Sequence, residues 1–173
     1  VVADLVIKPA NENFGIKFCR VDIDKDDFIT ADFKNVVEPI LCTKIQNKNG
    51  STVSTVEHLM AAFFGEGIDN VLVEVNASEI PILDGSASEF VEAIRSAGIK
   101  EQTAPRKFIQ VKQKVEIREG EKFISIEPSN NDLIIDFEIV YKNPLIRTRR
   151  KEFKLSCDNL TEIYNSRTFC LYE

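Results

Sequence analysis

Apolar and polar positions along the first hundred residues predict strands followed by helices. Short runs rich in β-branched and aromatic residues predict strands at 5–7, 16–18, 41–45 and 71–75. Apolar positions three and four residues apart predict helices at 54–64 and 88–97, the second closed by Gly98. Each helix carries the S-x-x-E pattern of a capping box, in the pairs Ser54 with Glu57 and Ser86 with Glu89.

The pattern restarts after a polar stretch at 100–105, which ends in proline. The second half predicts strands at 109–111, 115–117, 123–126, 133–141 and 151–155, and a helix at 158–166 with Asp158 as a possible N-cap. Arg147–Lys151, a basic run, is expected to be a solvated loop. This order predicts an α+β protein of two small domains, the first at 1–104 and the second at 105–173.

Composition and the lengths of the apolar runs argue against several classes of protein. The chain has 173 residues and a net charge of −6, whereas a nucleic-acid binder usually has a basic excess, so no nucleic-acid partner is expected. No run of 18 apolar residues predicts a transmembrane segment, and no signal peptide is visible. Four scattered cysteines without a C-x-x-C pair are interpreted as buried free thiols, and the expected location is cytoplasmic. The expected oligomeric state is a monomer.

His58 is the single histidine of the chain and follows Glu57 on the first predicted helix. On a helical wheel it lies opposite the apolar stripe that includes Leu59 and Phe63, which leaves two interpretations open. His58 is either a solvated surface residue or a group that faces a cleft. Glu57 is either the third residue of a capping box or a carboxylate that activates water.

The motif S-T-V-E-H-L-M-A-A at 54–62 is followed by G-I-D-N at 67–70 and E-I-P-I-L-D-G-S-A at 79–87. Together with L-C-T at 41–43, D-F at 136–137, N-P at 143–144 and R-T-F at 167–169, this series resembles the bacterial UDP-3-O-acyl-N-acetylglucosamine deacetylases, collinearly and over nearly the whole chain. The resemblance implies two domains, each a mainly antiparallel sheet layered with helices, and an active site in the cleft between them. It implies a cytoplasmic zinc-dependent amidohydrolase that releases acetate from UDP-3-O-acyl-N-acetylglucosamine in the committed step of lipid A biosynthesis in Gram-negative bacteria.

The resemblance also implies roles for individual residues. His58 is expected to be a Zn²⁺ ligand, Glu57 the general base, and Thr168 the hydroxyl that faces the developing oxyanion. The residues expected to bind substrate lie around the acyl passage, the uracil and the diphosphate; they are Leu41, Cys42, Phe169, Tyr141 and Lys122. Ordinary structural roles stay open beside these, with Leu41 and Phe169 in the core, Cys42 as a buried thiol and Lys122 as a solvated hairpin lysine. The loop Asp84–Ser86 is interpreted as a structural turn.

The chain departs from the family pattern in extent and at single positions. Family members begin earlier and continue further, so both domains are expected to be incomplete here and the remaining zinc ligands are expected outside this chain. Cys170, Asn143 and Val140 stand where the family usually has glycine, histidine and an acidic residue. The 173 residues alone are therefore expected to be inactive and to bind zinc weakly. The alternatives are a non-catalytic α+β module that retains a sugar-nucleotide cleft, or a plain interaction domain.

Overall fold

The computed structural model describes residues 2–24, 26–38, 40–130, 133–141, 143–144, 146–155 and 160–168. The chain forms two compact units, Val1–Pro105 with Glu162–Glu173 and Arg106–Thr161. The sequence pattern places every residue after 104 in the second domain. In the structure, however, the described residues from Glu162 onward pack with the first unit.

The first unit is built on a four-stranded sheet and two helices. The bounds are β1 Leu5–Pro9, β2 Ile16–Arg20, β3 Phe28–Thr30, β4 Ile45–Gln46, β5 Thr52–Val53, α1 Glu57–Gly65, β6 Val71–Val75 and α2 Ser88–Ala97. The sheet has the strand order β1-β6-β2-β3, with β2 and β6 parallel and the other neighbours antiparallel. A short 3₁₀ turn covers Phe33–Asn35, and β4 and β5 form a separate antiparallel pair.

The core of this unit combines one face of the sheet with the apolar stripes of the helices. Burial alternates along β6, where every second residue is buried, as expected for a strand with one solvated face. The fully buried side chains include Phe18, Ile29 and Val73 of the sheet and Leu59 and Phe63 of α1, and α2 adds the buried face Phe90, Val91 and Ile94. The first helix therefore has its position set by core packing.

The second unit consists of two antiparallel ribbons, followed by a short helix at the boundary between the units. The bounds are β7 Val115–Glu119, β8 Lys122–Ile126, β9 Ile134–Val140, β10 Thr148–Lys154 and α3 Leu160–Tyr164. Pairing is β7 with β8 and β9 with β10, and nearly all residues of these strands are exposed. The predicted α+β class with mainly antiparallel sheets is thus confirmed, because five of the six strand pairings in the described part of the chain are antiparallel and one is parallel.

Several local predictions were wrong. Residues 109–111 are not a strand, and the basic run from Thr148 onward belongs to β10 instead of a loop. Both capping boxes are absent, because α1 and α2 begin after Val56 and Ala87 without a side-chain cap. The predicted N-cap Asp158 lies outside the described residues. No helix within the described part of the chain is long and apolar enough to cross a membrane.

Candidate active site

Glu57 and His58 lie in the first turn of α1, and a strained residue lies two positions before Glu57. Thr55 has φ +59°, a left-handed value that a β-branched residue rarely adopts. Thr55 is buried, and its hydroxyl donates a hydrogen bond of 2.5 Å to Oε1 of Glu79. Strained backbone of this kind persists only where its surroundings hold it in place, and it is concentrated at functional sites.

The Glu57 carboxylate is directed by a backbone amide rather than by its own helix. Its Oε2 accepts a hydrogen bond of 3.0 Å from the Thr43 N–H, and the Thr43 carbonyl accepts from the Val56 N–H at 3.4 Å. Glu57 is half-buried. Its Oε1 accepts no hydrogen bond from the described part of the chain. The carboxylate therefore does not accept from the Ser54 N–H as a capping box requires, and the interpretation of Glu57 as a capping-box residue is wrong.

Leu41 and Cys42 lie immediately before this amide. The predicted strand at 41–45 was wrong over most of its length, because β4 begins at Ile45. Leu41 has φ +62° and is fully exposed, and Cys42 is a half-buried free thiol. A core role for Leu41 and a fully buried Cys42 thiol are therefore excluded. The structure brings Leu41, Cys42 and Glu57 to one neighbourhood through Thr43.

The His58 ring is half-buried, and no described residue forms a hydrogen bond with it. Its neighbours Leu59, Ala62 and Phe63 carry the buried face of α1, which agrees with the predicted placement of His58 away from that stripe. A catalytic zinc site needs about three protein ligands. Among the residues described, no group of three or more His, Cys, Asp or Glu side chains could hold a metal ion. One imidazole thus does not amount to a complete zinc site.

Thr168 lies against the loop that precedes α2. Its N–H donates to the Gly85 carbonyl at 2.9 Å, and Gly85 has φ +81°, so a side chain there would be strained. Arg167 donates to Oδ2 of Asp84 from Nε at 3.1 Å and from Nη2 at 2.7 Å. Thr168 itself is exposed, which leaves its hydroxyl accessible.

Asp84 organises this loop electrostatically. Its Oδ1 accepts from the Ser86 N–H at 3.0 Å and from the Ser86 hydroxyl at 2.6 Å. The Ser86 hydroxyl and the Arg167 guanidinium together lower the pKa of Asp84 to about 2. The interpretation of Asp84–Ser86 as a structural turn is confirmed, and the turn also holds the residue before Thr168.

The remaining predicted site residues lie elsewhere or outside the description. Lys122 is the first residue of β8, exposed and opposite Glu119, and Tyr141 follows β9; both belong to the second unit. Phe169 lies outside the described residues. No local sequence pattern predicts the supporting contacts of Thr43, Thr55, Glu79 and Arg167, because each contact joins residues that are 14 or more positions apart.

Comparison with known proteins agrees with these motifs. A family model described as LpxC, UDP-3-O-acyl N-acetylglycosamine deacetylase, matches residues 2–173. The chain is 42% identical over 168 residues to the UDP-3-O-acyl-N-acetylglucosamine deacetylase of Haemophilus ducreyi, an alignment that covers 95% of this chain and 55% of that protein. The proteins of the same name from Actinobacillus succinogenes and Shewanella violacea are 43% and 40% identical with the same coverage. The chain thus spans about half the length of the curated relatives it matches, and it belongs to the UDP-3-O-acyl N-acetylglycosamine deacetylase family.

Proposed function

We propose that the protein containing this chain hydrolyses the acetamide of UDP-3-O-acyl-N-acetylglucosamine and releases acetate, the committed step of lipid A biosynthesis in Gram-negative bacteria. The observation that carries the proposal is the family match over residues 2–173, with Glu57 and His58 side by side at the start of α1. The relatives named above carry this substrate and this reaction in their names.

In the proposed reaction, water adds to the acetamide carbonyl carbon, and the C–N bond then breaks to give acetate and the free amine. The oxygen of the water ends in the acetate, and one of its protons ends on the departing amine nitrogen. Glu57 takes a proton from the attacking water, and the open oxygen of its carboxylate is available for this role while Thr43 orients the other. The exposed Thr168 hydroxyl donates a hydrogen bond to the oxyanion that develops on the carbonyl oxygen. Leu41, Cys42 and Phe169 contact the acyl group, and Tyr141 and Lys122 contact the uridine diphosphate.

Zinc dependence is part of the proposal. His58 would be one ligand, and the other ligands would come from residues outside these 173 positions, because His58 is the single histidine of the chain. Bound zinc would supply Lewis-acid polarisation of the acetamide carbonyl. The 173-residue chain alone is accordingly expected to be inactive. The free thiol of Cys42 supports a reducing compartment, so we place the enzyme in the cytoplasm. We further propose that it is a monomer.

The test is acetate release from UDP-3-O-acyl-N-acetylglucosamine by the longest natural product that contains this sequence. Glu57→Gln keeps the size of the side chain and removes its basicity, so we expect kcat to fall about 10²–10⁴-fold. Glu92→Gln, an exposed position on α2, is the matched control and should retain full activity. A wild-type protein that releases no acetate with zinc present would contradict the proposal and favour the non-catalytic module.

A further inference from the structure

Ser54 and Thr55, which lead into α1, form three hydrogen bonds with residues 78–80. The Ser54 N–H donates to the Ser78 carbonyl at 2.9 Å, and the Ile80 N–H donates to the Ser54 carbonyl at 3.0 Å. The third is the 2.5 Å bond from the Thr55 hydroxyl to Glu79. Of these three bonds, the Thr55–Glu79 bond is the one between side chains, and Thr55 is the residue with the strained backbone.

The strained residue Thr55 lies in the short segment that leads into the helix. A φ of +59° turns the chain sharply between the end of β5 at Val53 and the first helical residue, Glu57. A β-branched residue resists this conformation, so without a compensating bond the segment would relax toward negative φ. Such a relaxation would rotate the first turn of α1, and with it the Glu57 carboxylate that rests on the Thr43 amide.

We propose that Thr55 and Glu79 are positioning residues that hold the Glu57 carboxylate in its reactive orientation through the Thr55–Glu79 hydrogen bond. The inference rests on the proposed function of Glu57 and adds to it two residues that do not act on the substrate themselves. Their effect is on the placement of the general base, so their loss lowers kcat more than it changes KM.

Thr55→Val keeps the shape of the side chain and removes its hydroxyl, and Glu79→Ala removes the acceptor. In acetate release by the longest natural product, both are expected to lower kcat about tenfold with KM within about twofold, as for the loss of one hydrogen bond to a charged group. Thr55→Ser, which keeps the hydroxyl, should restore activity to within about threefold of wild type. Glu92→Ala, exposed on α2, is the control for loss of a carboxylate. Glu79 is only half-buried, so Glu79→Ala is expected to fold even if Thr55→Val does not. In that case, the comparison of Glu79→Ala with Thr55→Ser tests the inference.

A double-mutant cycle with Glu57→Gln separates positioning from general stabilisation. If Thr55 acts through Glu57, Thr55→Val and Glu79→Ala should change the residual kcat of Glu57→Gln by less than about twofold. The inference would be overturned if the kcat losses of Thr55→Val and Glu57→Gln multiplied in full in the double variant. It would also be overturned if Thr55→Ser and Thr55→Val lost the same amount of kcat.

A readout without catalysis distinguishes failure of this inference from failure of the proposed function. The Thr43 amide donates to Glu57, so its hydrogen exchange reports whether the carboxylate is in place. Exchange at Thr43 should accelerate about tenfold in Glu79→Ala and stay unchanged in Glu92→Ala. Unchanged exchange in Glu79→Ala refutes the positioning role whether or not the wild type releases acetate. An inactive wild type with accelerated exchange refutes only the function proposed for the site.

Discussion

Gly65, the last residue of α1, is the position where one added methyl group is expected to do most damage. A Cβ built on Gly65 would lie 2.0 Å from the Tyr164 hydroxyl oxygen and 2.6 Å from two ring carbons. Tyr164 is 4% exposed, and its hydroxyl donates to Oε1 of Glu66 at 2.9 Å. Arg95 holds the same carboxylate through two bonds of 2.8 Å. The buried ring therefore cannot move aside without breaking its bond to Glu66.

Two opposing effects set the size of the change in stability for Gly65→Ala. Alanine is favoured over glycine in a helix by at most about 1 kcal/mol. Against this, the closest contact falls about 1.4 Å short of ordinary van der Waals distance, and overpacking of this kind costs about 1–3 kcal/mol. Displacing the tyrosine also breaks its bond to Glu66, and a hydrogen bond to a charged group contributes about 1.5–3 kcal/mol. The clash dominates, and we expect a net destabilisation of about 2–4 kcal/mol.

Urea unfolding followed by circular dichroism measures this difference. Ala61→Gly, at an exposed position in α1, calibrates the propensity effect and should cost about 1 kcal/mol. In a Tyr164→Ala background the obstacle is gone, so Gly65→Ala should be neutral or stabilising by up to about 1 kcal/mol. A Gly65→Ala variant as stable as wild type, or an equal penalty in the Tyr164→Ala background, would refute the reasoning.

Three further predictions concern stability. Phe18→Ala, at a fully buried position in β2, should cost about 3–5 kcal/mol in urea unfolding, whereas Phe33→Ala, at a site 80% exposed, should stay within about 0.5 kcal/mol. The pKa of Asp84 is about 2 in the folded chain and 3.8 in the unfolded chain. Its ionised carboxylate therefore stabilises the fold above about pH 4, and this stabilisation is lost as the pH falls toward 2. An Asp84→Asn variant that loses as much stability over the same pH range would contradict this prediction. Burial, and to a lesser degree the bond to Glu66, raises the pKa of Tyr164 to about 12. The tyrosine ionises in the unfolded chain at a lower pH than in the folded chain, so the free energy of unfolding should fall between about pH 10 and 12. Tyr164→Phe should lose less stability over this pH range than wild type.

The fold was predictable where local patterning and burial agree. The alternation in 71–75 indicated a strand with one buried face, and β6 has that burial pattern. Gly98 was predicted to end α2, and it does so with φ +82°. The capping boxes failed because a pattern of four residues does not reveal which competing partner a side chain will find. Glu57 finds the Thr43 amide, and the N–H of Ser54 is already taken by the Ser78 carbonyl.

The motifs identified the family and the adjacent Glu57 and His58, because the order of residue types along a chain is enough to establish a collinear resemblance. The tertiary structure alone decided how those groups are held. One such feature is the left-handed turn at Thr55. Two others are contacts between distant positions: the Thr55–Glu79 bond joins residues 24 positions apart, and the approach of Tyr164 to Gly65 joins residues 99 positions apart. Periodicity reports which side of an element is buried, and it carries no information about which distant residue lies opposite. Such contacts form only when the core brings the segments together, and that is why the geometry of the site had to be read from the folded chain.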